Sequence, residues 1–244
     1  MPHFKLKIAG LVGNVDARFD SAPYYLARYV VDMPSDFSVA VTDEDMELER
    51  YFRDAEAREE GMKLRIMTEP FLERLVIQRK FAEAAMKRNV LMVHGSAVAV
   101  DGVGYIFTAG CGTGKSTHTR LWRQVFGGRA VMINDDKPFI SVSDNGIFVC
   151  GSPWSGKHGL DTNISVPLGG ICLLERGVEN RIVSLERERL AEMVERLRWY
   201  MEPERIPVFD RLAQKLLDRV PLWLLQCNMD PDAARISHEA MSGR

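Results

Sequence analysis

The sequence predicts an α/β fold with a mixed sheet, preceded by a small α+β subdomain. A glycine-rich loop stands between a strand pattern and an amphipathic helical pattern, over residues 103–126. After residue 90, strand patterns joined by Asp-Gly and Asn-Gly turns alternate with helical ones, which favours a sheet with parallel and antiparallel pairs. Composition also changes near Asn89, so we predict an N-terminal subdomain over 1–89 and a main domain over 90–244.

The N-terminal part alternates short strands with helices. FKLKIAGLV (4–12) and DFSVAVT (36–42) read as strands with a short helix between them, and LRIM (64–67) is a further strand candidate. The acid-rich run over 43–60 mixes Arg with Asp and Glu at helical spacing, which indicates a solvated helix. Pro70 begins a long helical pattern, because proline fits the first turn of a helix.

The main domain opens with the apolar run LMVHGSAVAV, which is dense in small and branched residues. The predicted elements that follow are a strand over 103–109, a helix over 116–126, a strand over 129–134, a hairpin over 139–154, a strand over 164–176, helices over 186–201 and 207–220, a strand over 221–227 and a last helix with Asp230 as its N-cap.

Composition places the chain among ordinary globular proteins. Its 244 residues are 46% hydrophobic and 27% charged, and the net charge of -2 gives no basic footprint for nucleic acid. No apolar stretch reaches the ~18–20 residues of a membrane helix. The 4 cysteines show no metal-site spacing and read as reduced thiols. We therefore expect a cytoplasmic protein whose partners include neither nucleic acid nor membrane.

The run AGCGTGKST matches the phosphate-loop pattern G-x-x-x-x-G-K-[ST] except for Ala109 at its first position. Its glycines allow positive φ and turn successive N–H groups toward an anion, and the following helix directs its positive end there. Lys115 would reach the β- and γ-phosphates, and the Ser116 hydroxyl would face Mg²⁺. The predicted ATP-binding residues are Gly110, Cys111, Gly112, Thr113, Gly114, Lys115, Ser116 and Thr117.

Two carboxylates, Asp135 and Asp136, follow the strand over 129–134. Asp135 comes 20 residues after Lys115, which is room for one helix and one strand, so we expect the acids on the next strand of a βαβ unit, beside the loop. One carboxylate can hold the metal that bridges the phosphates, and the other can take a proton from an attacking hydroxyl. The alternative is the ordinary use of Asp in a turn after a strand.

The segment from His94 to Lys157 resembles HPr kinase/phosphorylase and ATP-dependent phosphoenolpyruvate carboxykinase. The matching stretches are MVHGSAVAV, AGCGTGKST, INDDKPF and NGIFVCGSPWSGK, in that order. Small HPr-kinase-like proteins look closer still, since the likeness extends to the FKLKIAGL start and the VPLWLLQCNMDPDAA end. The resemblance implies a P-loop core with a mixed sheet of this type, and it implies ATP and Mg²⁺ as cofactors.

The resemblance also implies roles for single residues. Lys115 would contact the transferred phosphate and Ser116 would ligate Mg²⁺. Asp135 would be the catalytic base and Asp136 a metal partner, although these two roles can be exchanged. His94 matches an active-site histidine of the families and is the third catalytic candidate; a core histidine at the end of an apolar strand is the alternative reading.

The loop over 152–163, SPWSGKHGLDTN, combines aromatic, basic and polar residues just after a strand. Because such loops often carry function, Trp154, Lys157 and His158 are candidates for recognising the substrate. An ordinary surface connection is the alternative for this loop.

These observations favour an ATP- and Mg²⁺-dependent kinase that phosphorylates a hydroxyl, with Ser or Thr of a protein or peptide as the main acceptor candidate. A non-catalytic ATP-binding switch in a peptide-modification system is one alternative, and a small-molecule kinase of the same fold is another. The carboxylate pair favours an enzyme, since a switch has little use for a base. HPr kinases are commonly hexamers, so the resemblance also raises a homo-oligomer as an option.

Overall fold

The computed structural model describes residues 2–59, 61, 63–64 and 66–243. Its N-terminal sheet has the order β3-β1-β2-β4 and contains β1 (His3–Ile8), β2 (Leu11–Asp16), β3 (Val30–Val31) and β4 (Phe37–Ala40). The single strand predicted over 4–12 is wrong, because Ala9 and Gly10 take φ of 52° and 82° and form a tight hairpin turn.

The first helices are α1 (Ala22–Tyr25), α2 (Asp43–Glu59) and α3 (Glu69–Met86). The predicted helix over 43–60 is confirmed over the described residues, but α2 is not solvated all round. Its Glu49 is buried and accepts a hydrogen bond of 3.1 Å from Nε of Arg79 on α3. The strand predicted over 64–67 is wrong where it can be checked: Leu64, Ile66 and Met67 lie outside any strand, while Arg65 lies outside the described residues.

The second sheet is mixed, as the sequence predicts. Its strands are β5 (Val90–Met92), β6 (Ser96–Val100), β7 (Val103–Thr108), β8 (Ala130–Asn134), β9 (Phe139–Ser143), β10 (Gly146–Cys150), β11 (Ser165–Arg176), β12 (Arg181–Ser184) and β13 (Leu222–Cys227). The main order is β5-β9-β10-β11-β7-β6-β8, and β13 joins β11 to β12. β11 is parallel to β7 and β13, whereas β6, β9, β10 and β12 make antiparallel pairs.

Helices α4 (Lys115–Phe126), α5 (Leu190–Leu197), α6 (Ile206–Leu217) and α7 (Asp232–Ser242) cover this sheet. Along β6, Val98 and Val100 belong to the cluster beneath α4 and α7, while Ala97 and Ala99 belong to the larger cluster on the other face. Both faces are therefore buried, which explains why this stretch reads as a continuous apolar run. In the described part of the chain, no helix is long and apolar enough to cross a membrane.

The larger cluster draws residues from both predicted parts of the chain, from Phe4 to Val220. Phe81 on α3 packs against Phe139 and Trp154, with ring centroids 6.0 and 6.2 Å away. The boundary at residue 89 stays a prediction; the packing across it is continuous.

Candidate active site

The strand order brings the predicted site residues to one edge of the sheet. β7 and β8 are both antiparallel to β6 and therefore parallel to each other. The loop after β7, the acids after β8 and the residues that precede β6 consequently meet at the same edge. As predicted, the acids follow β8, the next strand along the chain after β7. However, β7 and β8 are not neighbours in the sheet, because β6 lies between them.

The loop itself is shaped by glycine. Gly112 and Gly114 have φ of 70° and 119°, and Gly114 is the N-cap of α4. The first turn of a helix has N–H groups without intrahelical partners, and here that turn lies at the end of the loop. Ala109 is buried at the end of β7 and does not have a positive φ, so its methyl group fits where the pattern usually has glycine.

Three cationic side chains surround the loop. The Nζ of Lys115 donates to the carbonyl oxygen of Ala109 at 3.1 Å. Nη2 of Arg176, at the end of β11, donates to the carbonyl oxygen of Gly112 at 2.7 Å. Arg196 on α5 is the third, since a Cβ at Gly110 would lie 3.8 Å from its Nη1. Arg196 is not predictable from the sequence, because no local pattern shows that α5 returns to the loop.

Asp135 is held in place by buried hydroxyl groups. Its Oδ1 accepts a hydrogen bond of 2.7 Å from the Ser96 hydroxyl, which lies 2.8 Å from the hydroxyl of Thr119. Thr119 in turn lies 3.3 Å from the carbonyl oxygen of Ser116. A continuous polar path therefore joins this carboxylate to the first turn of α4. Ser96 stands in the HGSA stretch, where its residue type alone does not indicate this role.

Asp136 is more accessible, with 34% of its side chain exposed. Its Oδ1 accepts a hydrogen bond of 2.9 Å from Nζ of Lys137 and lies 3.6 Å from Nε2 of His94. The backbone of this turn is fixed by Asn134, whose Oδ1 accepts from the N–H groups of Asp136 and Lys137 at 2.8 and 2.7 Å. The acid pair is therefore pre-organised by its own turn.

His94 sits in a cationic environment. The charge of Lys137, then burial, then the charge of Lys115 hold the pKa of His94 well below its usual value of 6.5. We therefore treat the imidazole as neutral, and its contact with Asp136 is not an ion pair. Lys115, which donates to the Ala109 carbonyl, and Lys137, which donates to Asp136, place one cation at the loop and one at the acids, an arrangement that suits a polyanion.

The loop over 152–163 divides into a structural and an accessible part. Trp154, one of the predicted substrate residues, is buried in the core. Its ring packs on Phe139, and its Nε1 donates to the carbonyl oxygen of Arg74 at 3.1 Å. Its aromatic ring packs inside the core, and its role in recognising the substrate stays a prediction. Asp161, which is buried, fixes the far end by accepting from the Ser155 and Tyr29 hydroxyls at 2.7 and 2.9 Å.

Lys157 and His158 lie in a short 3-10 turn, Gly156–His158, and both are exposed. A Cβ at Gly156 would lie 3.3 Å from the Cβ of Asp136, so this turn runs directly beside the acid pair. The role of Lys157 and His158 in recognising the substrate stays a prediction.

Two cavities flank the loop. One, which we call the aromatic cavity, measures about 570 Å³ and opens on His94 and the start of the loop; Tyr51, Phe52, Trp199 and Tyr200 line it. The other, which we call the strand-end cavity, measures about 440 Å³ and lies against the second half of the loop, with Leu121, Leu174, Cys227 and Met229 in its wall. Both volumes fall in the range of small-molecule sites.

Within the described ranges, no cluster of three or more His, Cys, Asp and Glu side chains could hold a metal alone. The donors at this edge are the carboxylates of Asp135 and Asp136 and the exposed hydroxyl of Ser116. Such a set of hard oxygen donors fits Mg²⁺, which commonly takes one or two carboxylates and completes its shell with water and phosphate oxygens.

Similarity to known proteins is found in the structure and not in the sequence. No protein-family model and no curated protein matches the chain. Among solved structures, the Hpr(Ser) kinase/phosphatase from Coxiella burnetii is similar at 12% sequence identity and a TM-score of 0.37, covering 62% of this chain and 99% of that one. We draw no conclusion about activity from a likeness at this level.

Proposed function

We propose that the protein is an ATP- and Mg²⁺-dependent kinase that transfers the γ-phosphoryl group to a hydroxyl, with Ser or Thr of a protein or peptide as acceptor. The observation that carries the proposal is the meeting of the loop over 109–117 and the Asp135–Asp136 pair at one sheet edge, with Lys115 and His94 between them. The fold would then be a P-loop core of the HPr kinase type.

In this proposal, the phosphates of ATP lie against the N–H groups of the loop and the first turn of α4, with Lys115 as the cation. Residues 110–117 form the phosphate cradle. The nucleoside extends into the strand-end cavity, because that cavity continues from Gly112 and Thr113 and has an apolar wall. The γ-phosphate then points to the opposite side, where His94 and Arg196 line the aromatic cavity.

The two carboxylates have different surroundings, and these favour the exchanged assignment of their roles. Asp135 is nearly buried and tied through Ser96 and Thr119 to α4, which suits a metal partner together with Ser116. Asp136 is partly exposed beside His94, where an entering acceptor hydroxyl would arrive, so we assign it as the base. When bound, Mg²⁺ would neutralise charge on the phosphates.

Catalysis would come mainly from positioning and from fixed positive charge. Lys115 and Arg196 lie on the side where negative charge develops, and Asp136 accepts the hydroxyl proton as the new O–P bond forms. Neutral His94 can orient the acceptor or a phosphate oxygen by hydrogen bonding without competing for that proton.

The test compares Mg·ATP binding by calorimetry with ATP turnover and phosphoryl transfer to peptides. Lys115→Ala should weaken binding about 10- to 100-fold, because a charge-assisted contact is lost. Asp136→Asn should keep binding but lower turnover about 10²- to 10⁴-fold, because the base is lost.

Lys215→Ala and Asp144→Asn are matched controls, since both residues are exposed and lie away from the loop. If the wild type and the variants bind the nucleotide but none of them turns it over, the result supports the non-catalytic switch instead. Full turnover in Asp136→Asn together with loss in Asp135→Asn would restore Asp135 as the base.

A further inference from the structure

The aromatic cavity joins the N-terminal part of the chain to the proposed reaction site. One wall is α2, and the other is the connection from α5 to α6, residues 198–205. The walls touch where the rings of Phe52 and Tyr200 pack edge to face, with centroids 5.3 Å apart. The floor is His94 and Gly110, so anything bound in this cavity lies next to the start of the loop.

Charge is distributed unevenly across this cavity. Arg53 pairs with Glu56 at 2.5 Å, and Arg198 pairs with Asp210 at 2.7 Å, so these side chains are neutralised locally. At the rim, the exposed carboxylates of Glu59 and Glu195 have no ion pair with any residue that the structure describes. The rim is therefore negative, whereas Arg196 makes the floor positive.

Aromatic rings lie beside those rim carboxylates. Tyr200 and Glu59 both line the cavity, and burial and then the charge of Glu59 raise the pKa of Tyr200. Tyr51 is 63% exposed at the mouth of the cavity. An exposed aromatic ring next to an unpaired carboxylate is a good site for an ammonium or guanidinium group, through cation–π and ionic attraction together.

We propose that the aromatic cavity is the acceptor site of the kinase and takes a peptide segment in which Ser or Thr is flanked by Lys or Arg. This inference rests on the proposed function. The acceptor hydroxyl reaches the floor beside His94, and the basic side chain is held at the rim by Glu59, Glu195 and Tyr51. α2 is then a substrate-binding element, so the N-terminal part contributes directly to the site.

The form of the cavity favours a peptide over a free metabolite. Its mouth lies between α2 and the connection over 198–205, and its rim is built from exposed side chains that would lie along an extended chain. Trp199 lines the same cavity, and its buried Nε1 has no hydrogen-bond partner within the described residues.

The experiment uses the full chain with Mg·ATP labelled at the γ-phosphate and a library of Ser- and Thr-centred peptides that vary one flanking position at a time. We expect Lys and Arg to be enriched on at least one side of the acceptor and Asp and Glu to be disfavoured. With the best basic peptide, Glu59→Lys combined with Glu195→Lys should lower kcat/KM about tenfold, since like charges then meet at the rim. The Kd of Mg·ATP should not change.

Glu47→Lys is the matched control, because Glu47 is exposed on the same helix but does not line the cavity. Tyr51→Ala provides a second variant that keeps the charge and should raise KM for basic peptides. Transfer only to small cationic alcohols such as ethanolamine or choline, or transfer that prefers acidic peptides, would overturn the inference while leaving the kinase proposal intact. If the wild type does not bind Mg·ATP, both the kinase proposal and the acceptor-site inference are wrong.

Discussion

His118 lies in α4 only three residues after Lys115, in the wall of the strand-end cavity and not of the aromatic cavity. Its side chain is buried. Nε2 accepts a hydrogen bond of 3.0 Å from Nε1 of Trp122, and Nδ1 has no partner among the residues described. Burial lowers the pKa of His118 to about 3, so the ring is neutral near pH 7.

This lowered pKa predicts a loss of stability in acid. Between the ordinary value of 6.5 and about 3, the unfolded state binds the proton and the folded state does not. The free energy of unfolding should therefore fall as the pH falls, by up to about 1.4 kcal/mol per pH unit for this group. Urea unfolding at pH 7 and pH 5 should show a drop about 2 kcal/mol larger in wild type than in His118→Gln, which cannot be protonated.

The comparison isolates His118 because the other histidines are the same in both proteins. His94 also has a lowered pKa, but it contributes equally to each curve. Equal losses in the two proteins between pH 7 and pH 5 would mean that His118 is already accessible to protons in the folded state.

A tightly packed glycine, Gly151, lies next to the strand that leads to the acid pair. Gly151 follows β10, and its N–H donates to the carbonyl oxygen of Ile164 at 2.9 Å. A Cβ at this position would lie 1.9 Å from the carbonyl oxygen of Thr162 and 3.1 Å from that of Ile133, in the strand that leads to the acids. No side chain fits there without moving backbone.

Gly151→Ala should therefore destabilise the protein by about 1–3 kcal/mol or more through overpacking. It should also lower turnover, because the backbone at Thr162 must shift and its N–H donates to Ile133, just before the acids. Gly128→Ala is the matched control, since no heavy atom lies within 4 Å of a Cβ there and its φ is not positive. That change should alter stability by less than about 0.5 kcal/mol. Equal unfolding midpoints in urea for both variants would contradict the packing argument.

Elements with strong local signals were predictable, and elements that depend on distant pairing were not. The strand–loop–helix–strand unit from β7 to β8 has its turn glycines, helical periodicity and branched strand residues in sequence, and it forms as predicted. β12 was missed because RIVS is short and mostly exposed, and it forms only by pairing with β13. The Asp101-Gly102 turn signals that β6 pairs with β7, but no local pattern indicates that β6 also pairs with β8.

The same limit applies to the site at the scale of the whole molecule. The loop, the acid pair and His94 stand in short patterns whose chemistry is readable from residue type and spacing. Arg196 and the wall formed by α2 come from elements far along the chain, and only tertiary packing brings them to the loop. Trp154 shows the converse: an aromatic residue in a polar loop resembles a ligand contact in sequence but fills the core.

Packing across residue 89 gives the last prediction, which concerns whether the two predicted parts unfold together. All 4 tryptophans lie after residue 89, so their fluorescence reports on the second part alone. Phe81 lies before it, fully buried against Phe139 and Trp154. If the parts share one core, Phe81→Ala should lower the stability measured by tryptophan fluorescence by about 3–5 kcal/mol, in one transition that coincides with circular dichroism.

Phe71→Ala, on the same helix but 42% exposed, should change it little. The two parts fold independently if Phe81→Ala leaves the midpoint of the fluorescence transition unchanged while circular dichroism shows an additional transition at lower denaturant. In that case α2 would dock as a separate body against the proposed acceptor site.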